Sequence, residues 1–249
     1  MTDNTTLRRE GHVAVLEVTR GPHNFFDEQT LVDIGDALVE VDADSEARAV
    51  VLCSEGKNFC AGADLRGIDE HSLRRVYRAA ARLFTTRTPI VAAVQGSAVG
   101  GGLGLALAAD FRVVDTNARL TANFARIGFH HGFGISVTLP RVVGSQKALD
   151  LLYTGRNVFA EEAAAIGLAD RVADGDVRDA ALALAREIAA SAPLAVRAIR
   201  STLRRSVAAQ VVEALDEEAT AQTALLGTAD LAEGIDAAIA KRDPQFIGA

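Results

Sequence analysis

The sequence predicts an α/β fold that ends in a helical segment, and three observations carry that reading. Strand and helix patterns alternate through the first two thirds of the chain. Two short continuous apolar runs, ARAVVLCS at 47–54 and IVAAVQG at 90–96, have the character of strands covered on both faces. From about Ser136 onward the pattern is nearly all helix and rich in alanine.

Taken in order, HVAVLEVTR at 12–20 is rich in β-branched residues and predicts the opening strand. The stretch 27–44 sets Leu31, Ile34, Leu38 and Val41 at helical spacing and carries acids in its first turn. After the strand at 47–54 comes a loop, GKNFCAGADLRG at 56–67, and then a helix from about His71 to Thr86 that Pro89 ends. The strand at 90–96 leads into GGGLGLALAAD at 100–110, a tight turn entering a helix of small residues, and FRVVD at 111–115 follows as a strand. Within the helical remainder, 155–172 holds one more short strand at its end. There is no internal repeat in the sequence and no Pro-, Gly- or Ser-rich linker marking an independent second domain.

A chain of 249 residues that is 49% hydrophobic and 24% charged can bury a large core. Its net charge of −7 argues against nucleic acid or an anionic membrane as partner. No apolar run is long enough to span a bilayer, and the polar start MTDNTTLRREG is unlike a signal peptide, so a cytoplasmic protein is expected. Cys53 and Cys60 are too few for a disulfide framework, and nothing near them completes a metal site.

Two segments share one layout of buried strand, small backbone-exposing residues and helix: NFCAGADL at 58–65 and QGSAVGGGLG at 95–104. The first N–H groups of a helix lack intrahelical partners and sit at the positive end of its dipole. Glycine and alanine let a ligand approach such donors closely. Two loops of this kind on adjacent strands would direct a pair of N–H groups at one oxygen, the arrangement that stabilises a thioester or ester carbonyl as it gains negative charge. Other uses of glycine fail on spacing. A dinucleotide fingerprint counted from Gly100 meets Leu105 where it needs its last glycine, and no G-K-[ST] completes a phosphate loop.

NFCAGADL followed about thirty residues later by PIVAAVQGSAVGGGLGLALAADFRV resembles the crotonase family, the enoyl-CoA hydratase/isomerase superfamily. RGPHNFFDEQTLVDIGDAL is similar to that family's opening CoA-binding loop and first helix, and GIDAAIAKRDPQF at 234–246 to its C-terminal ending. The resemblance implies a spiral of repeated β-β-α units over residues 1–190 and a C-terminal helical trimerisation segment over 191–249, assembled as trimers or pairs of trimers. It implies an acyl-CoA or enoyl-CoA substrate and no cofactor beyond the CoA moiety. The two N–H donors to the thioester enolate fall on Ala63 and Gly101. Asn24, Ala61, Asp64 and Arg66 fall along the CoA path, with Lys241 and Arg242 as further cations for its phosphates or as ordinary surface charge.

The sequence departs from the family at the proton-transfer positions. Where its hydratases carry two glutamates, one as general base and one as acid, this chain has Gly104 and Phe124. The acyl pocket is therefore expected to be wider at Gly104 and more apolar at Phe124. The nearest titratable groups on the same loop are His130 and His131, just before Gly132, where some relatives carry an acid. In one reading either imidazole is the general base toward water or an α-proton. In the other, His131 stands in for a turn proline and bonds a neighbouring loop. Asp27 reads as a helix start, Tyr77 and His71 as packing or surface residues beside the acyl pocket, and Cys60 as small-residue packing. Ser97 has no partner base, which argues against a serine peptidase. The expected activity is that of an enoyl-CoA hydratase or isomerase with an altered site. The alternatives are a CoA-thioester-binding protein without turnover and a histidine-assisted acyl-CoA hydrolase.

Overall fold

The computed structural model describes residues 4–64 and 67–249. Strands β1 (Thr5–Glu10) and β2 (Val13–Val18) form an antiparallel hairpin, followed by α1 (Glu28–Ala43), β3 (Ala49–Ser54) and α2 (Glu70–Leu83). Next come β4 (Ile90–Val94), β5 (Ser97–Val99), α3 (Gly101–Ala108), β6 (Phe111–Asp115), β7 (Arg119–Thr121) and a 3₁₀ turn (Asn123–Ile127). The chain continues through α4 (Ile135–Val143), α5 (Ser145–Thr154), β8 (Asn157–Phe159), α6 (Ala160–Ala165), β9 (Arg171–Ala173) and α7 (Val177–Ala189). It closes with α8 (Pro193–Leu225) and α9 (Ala229–Ala240).

The strands make two sheets. A six-stranded sheet has the order β1-β2-β3-β4-β6-β9 and is parallel beyond the first hairpin; a three-stranded sheet has the order β5-β7-β8. Twice in succession, at β4–β5 and β6–β7, the chain leaves the large sheet and adds a short strand to the small one. The segment after β3 does the same through a single bridge, Cys60 to Ala98. This repetition winds the β-β-α units into a spiral and brings the loops after β3 and β5 side by side.

Side-chain alternation divides the core. Val13 and Val15 of β2, with Ala49, Val51, Val91, Ala93 and Val113 from its neighbours, face α7 and its Ala181 and Ala185. The intervening Ala14, Leu16, Val50, Leu52, Ala92 and Val94 face the larger core beneath α1, α2 and α3. The opening strand differs from the expected 12–20 run, because β1 precedes it: TTLRRE is a largely polar edge strand with no apolar run to announce it. Helix α1 matches the expected segment and takes Asp27 as its N-cap, the side chain accepting from the Thr30 N–H at 2.9 Å.

The last two helices fold back over the core. Helix α8 crosses α2 and α4, and α9 lies on the 3₁₀ turn. The approach of α9 is close enough that a Cβ at Gly234 would meet the backbone of Ile127, and one at Gly128 (φ 70°) would stand 2.6 Å from the Asp230 carbonyl oxygen.

A buried charge cluster fixes α8 to the sheet. Asp110 accepts from the N–H of Ile90 at 2.8 Å and from Arg200 Nε at 2.8 Å, with Arg204 Nε at 3.4 Å. Arg204 also donates to the Ala108 carbonyl at the C-terminal end of α3, where a cation complements the helix dipole. Removing the carboxylate leaves two arginines buried without their anion. Asp110→Ala is expected to lower the free energy of unfolding in urea by about 3–5 kcal/mol.

Candidate active site

The loop after β3 is held from both sides. On one flank the Cys60 N–H donates to the Ser97 carbonyl and the Val99 N–H to the Cys60 carbonyl, both at 3.0 Å. On the other, Ala61 N–H donates to His23 O, Phe26 N–H to Gly62 O, and Asp64 N–H to Phe26 O, at 2.9–3.0 Å. In a parallel bridge a residue whose two neighbours make the bonds turns its own N–H to the opposite side. Ala63 is that residue opposite Phe26, so its N–H points away from the loop's partner strand.

The second loop delivers its donor from a helix start. Gly100 caps α3 at φ 55°, its N–H bound to the Thr121 carbonyl at 2.8 Å, and Gly101 is the first residue of the helix. Gly101 and Ala63 face each other: a Cβ at Gly101 would lie 3.8 Å from the Ala63 nitrogen. Among the described residues neither N–H has a protein acceptor. The two loops can meet because their facing residues are small. A Cβ at Gly102 would overlap the Cys60 carbonyl oxygen, and one at Gly101 would stand 2.6 Å from the Phe26 ring.

Both donors open into a cavity of about 440 Å³. Its walls are mostly apolar: Phe26, Leu73, Val76, Phe124, Phe129 and Phe133, closed over by Ile235 and Ile239 of α9. Ala61, Ala63, Asp64, Gly101, Phe124 and Gly132 all line it. Asp27 and Glu28 line it too, but each is already paired, Asp27 with Arg20 at 2.5 Å and Glu28 with Arg75 at 2.7 Å.

Four expected site residues are placed differently. Gly104 does not widen the cavity, because the Phe133 side chain lies where a Cβ at 104 would be, at 2.5 Å. Phe133 holds a positive φ of 65°, a strained backbone for a bulky residue, and packs edge-on against Phe26 with ring centroids 5.3 Å apart. Asn24 is buried and spent within the protein. Its amide donates to the carbonyls of Glu55 and Asn58 at 2.8 Å, and its side-chain oxygen accepts from the Arg20 N–H. It therefore braces the opening loop instead of offering a hand to CoA. His130 and His131 do not line the cavity. His130 Nδ1 donates to the His131 carbonyl at 2.7 Å, and the two rings stack at 4.0 Å. His131 sits edge-on to Phe124 and bonds Ser136 Oγ at 2.8 Å; that hydroxyl donates in turn to buried Glu218. Arg66 lies outside the described residues. Arg242 is bound by Glu233 in a two-point ion pair, and Cys60 is a buried thiol that desolvation pushes up to about 12.

One lining group carries more than the sequence suggests. Tyr77, from α2, reaches the cavity beside Gly132, where its hydroxyl fills the space a Cβ at 132 would need. It bonds Gln222 of α8 at 2.6 Å. A lone tyrosine at helical spacing carries no local signal of this, because the space it fills belongs to a loop 55 positions away.

Two outcomes follow from this geometry. Gly102→Ala is expected to force α3 off the first loop, destabilising the fold by about 1–3 kcal/mol in urea unfolding. Burial, reinforced by the neighbouring His130, lowers the His131 pKa to about 4 from an ordinary 6.5. Between those values the unfolded chain binds a proton that the folded chain refuses. The contribution is therefore intact above pH 6.5 and is lost as pH falls toward 4. Taking the protein from pH 7 to pH 5 is expected to cost about 1–2 kcal/mol through this group. His131→Asn should flatten that slope in denaturant titrations.

Residues 8–249 match the family model described as enoyl-CoA hydratase/isomerase. A Thermus thermophilus protein named "Putative enoyl-CoA hydratase" is 40% identical over 252 residues, which cover 95% of this chain and 98% of that protein. The short-chain-enoyl-CoA hydratase of Clostridium acetobutylicum is 32% identical, with 96% of each chain covered. Among solved structures, an enoyl-CoA hydratase/isomerase from Pseudoalteromonas atlantica superposes with a TM-score of 0.87 at 30% identity, over 98% of this chain and all of that one. The opposed N–H groups, the spiral that presents them and these likenesses have one reading: the chain belongs to the enoyl-CoA hydratase/isomerase family.

Proposed function

We propose that this family enzyme binds an acyl-CoA or enoyl-CoA thioester with its carbonyl oxygen between the N–H groups of Ala63 and Gly101, and that these donors stabilise the enolate. The observation that carries the reading is the pair of unengaged N–H groups facing one apolar cavity. In such surroundings two fixed donors act strongly on developing negative charge, because little water competes for them. Pantetheine would run past Ala61 and Asp64 at the mouth, with Arg66 as a cationic contact for the CoA phosphates. The exposed Leu194, Ile199 and Leu203 of α8 support assembly into a homotrimer or a pair of trimers through the 191–249 segment.

Hydration and double-bond isomerisation remain the two reactions proposed, with water or a substrate group moving the proton. Neither imidazole is among the groups that line the cavity, which weighs against the histidine-assisted hydrolase. One observation favours a second reading, a thioester-binding protein without turnover: two of the three lining carboxylates, Asp27 and Glu28, are engaged by arginines, and Phe124 stands where a glutamate serves relatives.

Purified protein given crotonyl-CoA, a 3-enoyl-CoA and saturated acyl-CoAs separates these readings. Hydration consumes the conjugated enoyl absorbance, isomerisation creates it, and hydrolysis releases free thiol. Ala63→Pro deletes one donor without breaking a protein hydrogen bond, and is expected to lower kcat by about 10²–10³-fold. His130→Ala and His131→Ala are each expected to keep turnover within about twofold. Micromolar thioester binding without turnover of any substrate would favour the binding protein; absence of binding would overturn both readings.

A further inference from the structure

The hydrogen-bond polarity of the cavity can be read from a chain of three groups. The His130 carbonyl can only accept, and the Gln222 amide nitrogen donates to it at 2.6 Å. That bond fixes the amide orientation, so Gln222 Oε1 faces Tyr77 and accepts from the Tyr77 hydroxyl at 2.6 Å. The single proton of the phenol is thereby committed to Gln222. The Phe133 N–H and the Glu218 carboxylate also face this hydroxyl, the first donating to its oxygen and the second reinforcing retention of its proton. What the oxygen still has to offer is an acceptor lone pair beside Gly132, in the cavity wall.

Gln222 and Tyr77 are both buried, at 2% and 7% exposure, so water in bulk does not compete for that lone pair. The rest of the wall is mostly hydrocarbon and aromatic, with Ser72, Asn123 and the carboxylates of Asp27, Glu28 and Asp64 as its other polar side chains. The cavity thus has two donors at Ala63 and Gly101 and an oriented acceptor at Tyr77. Its complement is a ligand with an acceptor carbonyl at one point and a hydroxyl donor further along.

Resting on the thioester reading above, we infer that Tyr77 is a specificity-determining residue that accepts a hydrogen bond from a hydroxyl on the acyl chain, and that Gln222 is the positioning residue that makes it an acceptor. The selectivity is for a donor, not for polarity in general. A hydroxyl is favoured, whereas an ether at the same carbon leaves an unpaired acceptor facing another acceptor.

Equilibrium binding of the full chain to butyryl-CoA, to 3- and 4-hydroxybutyryl-CoA and to the matching methoxybutyryl-CoA thioesters tests this. One of the hydroxy isomers is expected to bind about fivefold more tightly than butyryl-CoA, and its methoxy counterpart no more tightly than butyryl-CoA. In Tyr77→Phe the ratio of hydroxy to unsubstituted affinity should fall to about one. Gln222→Met frees the phenol proton, so the methoxy thioester should gain on butyryl-CoA, an effect that mere loosening of the loop would not produce. A hydroxyl gain that survives in Tyr77→Phe, a methoxy gain equal to the hydroxy gain in the unaltered protein, or no hydroxyl gain at either carbon would overturn the inference. Should Tyr77→Phe fail to fold, the hydroxy–methoxy comparison in the unaltered protein decides alone. Binding of butyryl-CoA without hydroxyl selectivity removes only this inference; failure to bind any of the thioesters removes the thioester reading as well.

Discussion

Gly102 sits so close over the Cys60 carbonyl that no side chain can stand between them. That contact sets the spacing of the two loops on which the site depends. It seats the first turn of α3 directly on the strand-like segment 59–64, which is itself bonded to His23–Phe26 on one flank and to β5 on the other. With both edges of the segment occupied, the N–H of Ala63 has one direction left, toward Gly101. Neither donor could be moved without breaking a ladder bond or lifting a fully buried helix off its seat.

The aromatic side chains follow from the same closeness. Phe26 can lie over Gly101 and Phe133 over Gly104 because glycine presents them with backbone instead of a side chain. Phe133 accepts a left-handed backbone to reach that place, a conformation that costs about 1–3 kcal/mol and persists where the surroundings over-determine it. Here they do: its ring is buried, Phe26 meets it edge-on, and the next residue's N–H is caught by Glu218 at 2.7 Å. Burial pushes the Glu218 pKa up, while bonds from Ser136 and Gly134 pull the other way. Through this residue α8 acts as a remote cap for α4, so the C-terminal helices shape the cavity wall as well as covering it.

Much of this was legible along the chain, and the boundary of what was legible is physical. Continuous apolar runs gave away β3, β4 and β6, and the 3.6-residue spacing of Leu31, Ile34, Leu38 and Val41 located α1 with Asp27 at its start. The loops after β3 and β5 were readable as donor loops because backbone exposure demands small residues. The small sheet was not, since β5, β7 and β8 are three residues each and show no period. Space between distant segments was equally hidden. Gly104 looks like an opening in the sequence and is filled by Phe133; Gly132 looks like another and is filled by Tyr77, 55 positions away. Asn24 looks like a ligand residue and proves to be a loop brace. The histidine pair draws the eye because imidazoles titrate near neutrality, yet titration says nothing about which way a ring faces.

The division between backbone and side-chain function explains how such a site tolerates substitution. The paired donors here are peptide N–H groups, so their presence depends on chain path and on small residues at 62 and 100–102, not on any reactive side chain. Proton-transfer groups, by contrast, are side chains and can be exchanged one at a time. An exchange of that kind leaves the pair of N–H donors standing while it alters the walls that surround it. In this chain Phe26, Phe124, Phe129 and Phe133 form much of the wall, and the acceptor oxygen of Tyr77 lies on an element outside the glycine-rich loops. Selectivity for the acyl group can therefore change through Tyr77 of α2 and Gln222 of α8 without disturbing the seat of Gly102 on Cys60, because neither residue takes part in that contact.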